Sequence, residues 1–118
     1  FRLYAQPIVP LWDPTRAPRY EILVRLLDGQ GQPVAPDRFL QAAKRYQLLP
    51  QLDRWVLQET LRHLRPDAAA LAHAGATFSI NVSEASLADA GFADHLAAEL
   101  AAAGVPGPLL GLELAESD

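Results

Sequence analysis

The chain contains no cysteine, which excludes a disulfide framework and a thiolate metal site. It has no run of lysine or arginine, and its formal net charge is −4. A nucleic-acid duplex and an anionic membrane surface are therefore poor partners, and no membrane contact by this segment is expected. A single basic side chain in an acidic protein can still hold one small anion. No apolar run approaches the roughly 18 residues of a membrane span, and no signal peptide precedes Phe1. A cytoplasmic location is the expectation. His63, His73 and His95 are scattered without metal-binding spacing and read as surface or helix-face residues. Ser83 and Ser86 have no partnered histidine, so a serine nucleophile is not expected.

What is present suits one domain: 118 residues, 50% hydrophobic and 20% charged, enough apolar side chain to build a core. Phe1 starts inside a strand-like run and Asp118 ends just after another, so the sequence reads as a piece of something longer.

The most informative stretch is residues 19–27, Arg-Tyr-Glu-Ile-Leu-Val-Arg-Leu-Leu. It has the β-branched and aromatic content of a strand. Side chains alternate across a strand, so Tyr20, Ile22, Val24 and Leu26 share an apolar face suited to packing under helices. Glu21, Leu23, Arg25 and Leu27 share the other. A carboxylate and a guanidinium in apolar company need partners. The strand alone allows two readings. One is an internal Glu21–Arg25 ion pair or a solvated sheet face. The other is a metal ligand beside a phosphate clamp.

Taken in order, residues 2–9 form a first strand with Tyr4, Gln6 and Ile8 on one face, and Pro7 suits an edge. Residues 10–18 hold three prolines and form a loop. The loop is short, which predicts antiparallel pairing of the first two strands. Residues 28–33 read as a turn-rich loop. A helix starts at Pro36, with Phe39, Leu40, Ala43 and Tyr46 as its buried stripe. A second helix covers residues 50–64, burying Leu52, Trp55, Val56, Leu61 and Leu64, and Arg65-Pro66 ends it. Residues 67–76 are short helix or loop. Residues 77–82 form a strand with Phe78, Ile80 and Val82 opposite Thr77, Ser79 and Asn81, and Ser83 is placed to cap the next segment. A helix over residues 92–103 buries Phe92, Leu96, Leu100 and Ala103 and stops at Gly104. Residues 109–115 form a last strand, with Leu110, Leu112 and Leu114 opposite Gly111, Glu113 and Ala115. Trp12 reads as a loop aromatic and Trp55 as a core one. Asp53–Arg54 and Glu59–Arg62 read as solvated helix pairs.

From the second strand on, strands alternate with helices, which predicts α/β architecture with a parallel sheet. In an α/β barrel the outer strand faces pack on helices, while the inner faces and C-terminal rim build the site. Glu21, Arg25, Asn81 and Glu113 would then converge. Two carboxylates and a carboxamide oxygen are hard ligands suited to Mg²⁺ or Mn²⁺.

These residues carry a resemblance to a known family. Tyr4-Ala5-Gln6-Pro7-Ile8, Glu21-Ile22-Leu23-Val24-Arg25, Pro36-Asp37-Arg38-Phe39, Leu52-Asp53-Arg54-Trp55-Val56, Asn81-Val82-Ser83 and Leu112-Glu113-Leu114-Ala115-Glu116-Ser117 occur in the order of the EAL domain, the bacterial cyclic di-GMP phosphodiesterase fold. The chain resembles the N-terminal half of that TIM-like (β/α) barrel, with the first strand antiparallel. The resemblance implies a partial EAL domain over residues 1–118. It implies Glu21, Asn81 and Glu113 as metal ligands, with Glu21 catalytic, and Arg25 as a phosphate contact. Gln6 and the backbone around Leu23 line the nucleotide pocket; Glu116 is the weaker ligand candidate. For the complete domain it implies Mg²⁺- or Mn²⁺-dependent hydrolysis of cyclic di-GMP to linear pGpG. The alternatives are a non-catalytic cyclic di-GMP receptor and a structural or dimerising module of a multidomain signalling protein. A homodimer and fusion to sensory or GGDEF-type domains belong to the same expectation.

Ile22 replaces the signature alanine and Ala115 a common threonine. The family's downstream Asp-Asp-Phe-Gly motif and catalytic lysine have no counterpart in these residues. A full barrel has about eight strands, so four predicted strands make about half a domain.

Overall fold

The second strand forms over the whole of its predicted length. In the computed structural model, which describes residues 1–11 and 17–114, it is β2 (Arg19–Leu27). It pairs antiparallel with β1 (Arg2–Pro7), as the short connection predicts. The first strand is shorter than expected. Ile8 and Val9 lie beyond it, although the Ile8 amide still bonds the Arg19 carbonyl at 2.8 Å. Trp12 lies outside the described residues.

The expected loop at residues 28–33 ends in a short strand, β3 (Pro33–Val34), which pairs antiparallel with the end of β2. Asp28 makes the reversal by accepting the amides of Gln30 and Gln32 on one oxygen. Helix α1 (Pro36–Arg45) comes next, with proline in its first turn. Its apolar stripe is not a buried one throughout: Phe39 is buried, but Leu40 is 37% and Tyr46 67% exposed.

Helix α2 (Leu49–Leu64) is the pillar of the core. Leu52, Val56, Leu57, Leu61 and Leu64 are buried against Ile22, Phe78, Ile80 and Val82 from the sheet. Trp55 packs at the margin of this cluster. Helix α2 ends at Leu64, before Arg65-Pro66, as expected. Residues Arg65–Asp67 tighten into a 3-10 turn that runs directly into α3 (Ala68–His73). Proline is tolerated because it occupies the opening of a new helical segment, where its missing amide is not needed.

Strand β4 (Thr77–Val82) shows the predicted alternation, with Phe78, Ile80 and Val82 buried and Asn81 exposed. Ser83 caps the short helix α4 (Glu84–Ala88), its side chain accepting the Ser86 amide. Helix α5 (Phe92–Ala103) ends at Gly104, whose φ of 68° is the left-handed conformation of a helix stop. A 3-10 turn leads into β5 (Leu110–Leu114). Ala115 and Glu116 lie outside the described residues.

The sheet order is β1-β2-β4-β5, with β3 also on β2. Both β2–β4 and β4–β5 are parallel. The mixed sheet, its antiparallel first strand and the helical crossovers are the predicted α/β architecture, with five strands among the described residues where four were expected. One expectation fails at the far edge. Leu112 and Leu114, expected to pack under helices, are 43% and 54% exposed.

Candidate functional site

Strand register decides which polar side chains meet. Gln6 on β1 stands opposite Glu21 on β2, and Glu21 stands opposite Ser79 on β4. Ser79 is in turn opposite Gly111 on β5. One two-residue step further toward the C-terminal ends, Asn81 stands opposite Glu113. The four faces that carry Gln6, Glu21, Asn81 and Glu113 are therefore one surface of the sheet.

Gly111 shows how tight this surface is. A Cβ there would lie 2.9 Å from the Ser79 hydroxyl oxygen, closer than atoms of that size approach. The Ser79 hydroxyl takes the space that a side chain at Gly111 would fill, one step below the Asn81–Glu113 pair.

The β2–β4 ladder ends at the Glu21–Ser79 pair. Beyond it a side-chain bond takes over: the Asn81 amide Nδ2 donates to Glu21 Oε1 at 3.3 Å. Glu21 is half-buried, whereas Asn81 and Glu113 are exposed. The expectation that buried charges here need partners therefore changes. These groups occupy an open, wet surface, and no ion pair between Glu21 and Arg25 forms among the described residues.

Arg25 sits higher on β2, opposite Arg2 of β1, and its Nη1 donates to the Val24 carbonyl at 2.8 Å. Among the described residues its other guanidinium nitrogens make no hydrogen bond or ion pair, a disposition suited to an anion. Leu23 stands opposite Tyr4, between Glu21 and Arg25 on the same strand face. The expected residues are thus brought to one face, with Glu21, Asn81 and Glu113 grouped and Arg25 set apart along β2. Glu116 lies outside the described residues. The three histidines do not join the group: His63 and His95 face Glu59 and Glu99 on their own helices.

The donor set fits a hard divalent cation. Two carboxylates and a carboxamide stand on three adjacent strands of one sheet face, all hard-ligand side chains without sulfur or imidazole. Holding an ion there requires the Asn81 carboxamide to present its oxygen, which a rotation of the amide achieves.

One element of the site was not read from the sequence. Asp53 on α2 is not a solvated partner of Arg54. Its Oδ2 accepts the Ser83 amide at 2.9 Å, the Ser83 hydroxyl at 2.6 Å and the Ser86 hydroxyl at 2.7 Å. Arg54 instead pairs with Asp89 on the surface. Glu59 and Arg62 do form the expected exposed pair. Asp53, Asn81 and Ser83 also line a largely apolar cleft of about 290 Å³ with Leu40 and Leu49.

Comparison with known proteins places these features in a family. The EAL domain family model matches residues 1–118. The chain is 29% identical to the cyclic di-GMP phosphodiesterase PdeB of Shewanella oneidensis over 115 residues, covering 98% of this chain and 13% of that protein. It is 31% identical to the cyclic di-GMP phosphodiesterase PdeA of Borreliella burgdorferi over 117 residues, covering 99% of this chain and 17% of that protein. The chain thus spans less than a fifth of the length of these curated relatives. Among solved structures, the FimX EAL domain of Pseudomonas aeruginosa bound to c-di-GMP superposes with a TM-score of 0.80 at 34% identity. That match covers 96% of this chain and 43% of the other.

Proposed function

Because the chain belongs to the EAL domain family, we propose that the domain it contributes to hydrolyses cyclic di-GMP to linear pGpG. On this reading the 118 residues are the N-terminal half of the barrel, consistent with their covering 43% of the FimX EAL domain chain. The observation that carries the proposal is the Glu21–Asn81 contact with Glu113 beside Asn81 in register. Three oxygen donors from adjacent strands suit Mg²⁺ or Mn²⁺.

Glu21, Asn81 and Glu113 would hold the ion. When bound, such an ion supplies an acidified water and offsets negative charge on the phosphate oxygens. Arg25 grips a second phosphate oxygen through charge-assisted hydrogen bonds and fixes the ring of the dinucleotide relative to the carboxylates. Gln6 and the Leu23 backbone line the nucleotide pocket alongside. Chemically, water adds to phosphorus, the bond from phosphorus to the 3′ oxygen breaks, and that oxygen leaves with a proton. One phosphate remains on a 5′ carbon, which is the linear product. The proton-transfer groups and any second metal would come from the other half of the barrel. A sensory or GGDEF-type domain fused to this one accords with the length of the relatives.

A second reading, a receptor that binds without hydrolysis, is favoured by the FimX EAL domain being bound to c-di-GMP. One experiment separates the two: cyclic di-GMP hydrolysis by the full-length parent with Mg²⁺ and with Ca²⁺, beside Glu21→Ala. The phosphodiesterase gives pGpG with Mg²⁺ and falls to background in Glu21→Ala. Saturable binding without product identifies the receptor. Neither product nor binding overturns both readings.

A further inference from the structure

Asn81 must be held to better than the freedom of a strand end if it is to present an oxygen beside Glu21. Its neighbours Ile80 and Val82 are each 2% exposed, so burial on both sides dictates which face Asn81 occupies. Burial does not fix how far the strand end twists: on one side β4 leaves β2 at Ser79, while on the other it stays paired with the edge strand β5 through Val82. Beyond that ladder, a further hold on the strand end comes from outside the sheet. Asp53 Oδ2 receives the Ser83 amide, only two residues past Asn81, together with the Ser83 and Ser86 hydroxyls. Ser86 is itself 2% exposed, and its hydroxyl has been taken out of water to make this bond. Three donors on one carboxylate oxygen are more than a helix cap needs, since the Ser83 side chain already caps α4.

We propose that Asp53 is a positioning residue: it pins the β4–α4 corner to α2 and thereby sets the orientation of Asn81 for a divalent cation. The inference rests on the reading of Asn81 as a metal ligand. Breaking the grip leaves every ligand in the sequence but loosens one of them. The effect is therefore weakened metal affinity that excess metal restores, rather than lost chemistry. Groups that act on a ligand from behind alter metal affinity by about 10–100-fold when removed.

The test uses the full-length parent protein and Mn²⁺ alone, with free ion measured by electron paramagnetic resonance, and melting temperature recorded without metal. Asn81→Ala serves as the reference. Asp53→Ala is expected to weaken Mn²⁺ binding about tenfold. Asp53→Asn, which keeps an acceptor oxygen of the same shape, should retain more affinity. Raising Mn²⁺ should restore turnover in Asp53→Ala but not in Asn81→Ala. Should Asp53→Ala fail to fold, Ser86→Ala removes one of the three bonds and carries the same test, with a weakening of a few-fold expected. Wild-type Mn²⁺ affinity in the Asp53 variant, or in Ser86→Ala where that variant stands in, overturns the proposal whatever the melting temperature does. If Asn81→Ala weakens binding and these variants do not, the positioning role alone falls. If Asn81→Ala also leaves affinity unchanged, the metal reading of Asn81 falls and takes this inference with it.

Discussion

Arg25 is the residue whose chemistry can be varied most cleanly. It lies on the rigid central strand, opposite Arg2, with one nitrogen committed to the Val24 carbonyl. A guanidinium offers a planar pair of donors to a phosphate, whereas lysine offers a point charge. Arg25→Lys keeps the charge and removes the fork. We expect cyclic di-GMP affinity, measured in Ca²⁺ by calorimetry on the parent protein, to fall about tenfold, the equivalent of roughly 1.4 kcal/mol. An unchanged affinity would remove Arg25 from the phosphate contact. Glu59 and Arg62 supply a contrasting pair remote from the site. The hydrogen bond from Arg62 holds the Glu59 carboxyl below its ordinary value, against a smaller opposing effect of burial, and the charges of Arg62 and His63 add to the lowering. A depressed carboxyl pKa stabilises the fold above the unfolded value, and that contribution disappears as pH falls through the folded value. Arg62→Ala should therefore raise the Glu59 titration seen by NMR. Its small melting-temperature deficit should be present at neutral pH and close in acid. The pair is solvent-exposed, so the deficit stays slight, and turnover is expected to be unaffected.

At the scale of elements, α2 joins the fold to the site. Its inner stripe buries Leu57 and Leu61 under the sheet, and the same helix carries Asp53 to the end of β4. Leu61 is 2% exposed. Leu61→Ala should cost about 2–5 kcal/mol by denaturant unfolding, the range for opening a cavity in a packed core. Gly111→Ala tests the β4–β5 pairing. The added methyl meets the Ser79 hydroxyl at 2.9 Å, so either that hydroxyl rotates away or β5 shifts. A shift of β5 costs about 1–3 kcal/mol as overpacking and weakens Mn²⁺ binding because Glu113 moves with it, whereas near-native stability and Mn²⁺ affinity identify rotation of the Ser79 hydroxyl. Much of this architecture was legible in the sequence. Alternation over residues 19–27 and 77–82 gave both strands and their faces, and Gly104 marked the end of α5. The helical spacing of Asp53 with Val56, Leu57 and Thr60 was also a readable signal that Asp53 lies beside the buried stripe. It was masked by the adjacent Arg54, which suggested a surface pair. What the sequence could not show was set by tertiary contact. Pro33–Val34 became a strand because β2 offered an open edge, and Leu40 and Tyr46 were left exposed because α1 buries only Phe39 deeply. Glu21, Asn81 and Glu113 were named by motif. Their grouping depends on a register that periodicity alone does not fix.

For the molecule as a whole, the decisive feature is a sheet covered on one side and open at its far edge. Leu112 and Leu114 on β5 are exposed, as are Tyr4, Ile8, Val9 and Leu11 around β1. Two regions of apolar side chain at opposite edges of one sheet are hard to keep apart in water. Among the described residues β5 ends the sheet, with no strand on its outer side, and such an edge is a template for a second chain. The 118 residues expressed alone are therefore expected to self-associate, with light scattering showing a mass that rises with concentration. They should bind Mn²⁺ weakly and give no measurable pGpG, since only part of the proposed machinery is present. The parent protein, by contrast, should hydrolyse cyclic di-GMP at an ordinary enzymatic rate without that concentration-dependent growth in mass. On the half-barrel reading both outcomes have one geometric cause: the open surface is where further strands would close the barrel around Glu21, Asn81 and Glu113. A monodisperse 118-residue monomer with full turnover would show that the open face needs no closure, and it would overturn the half-barrel reading directly.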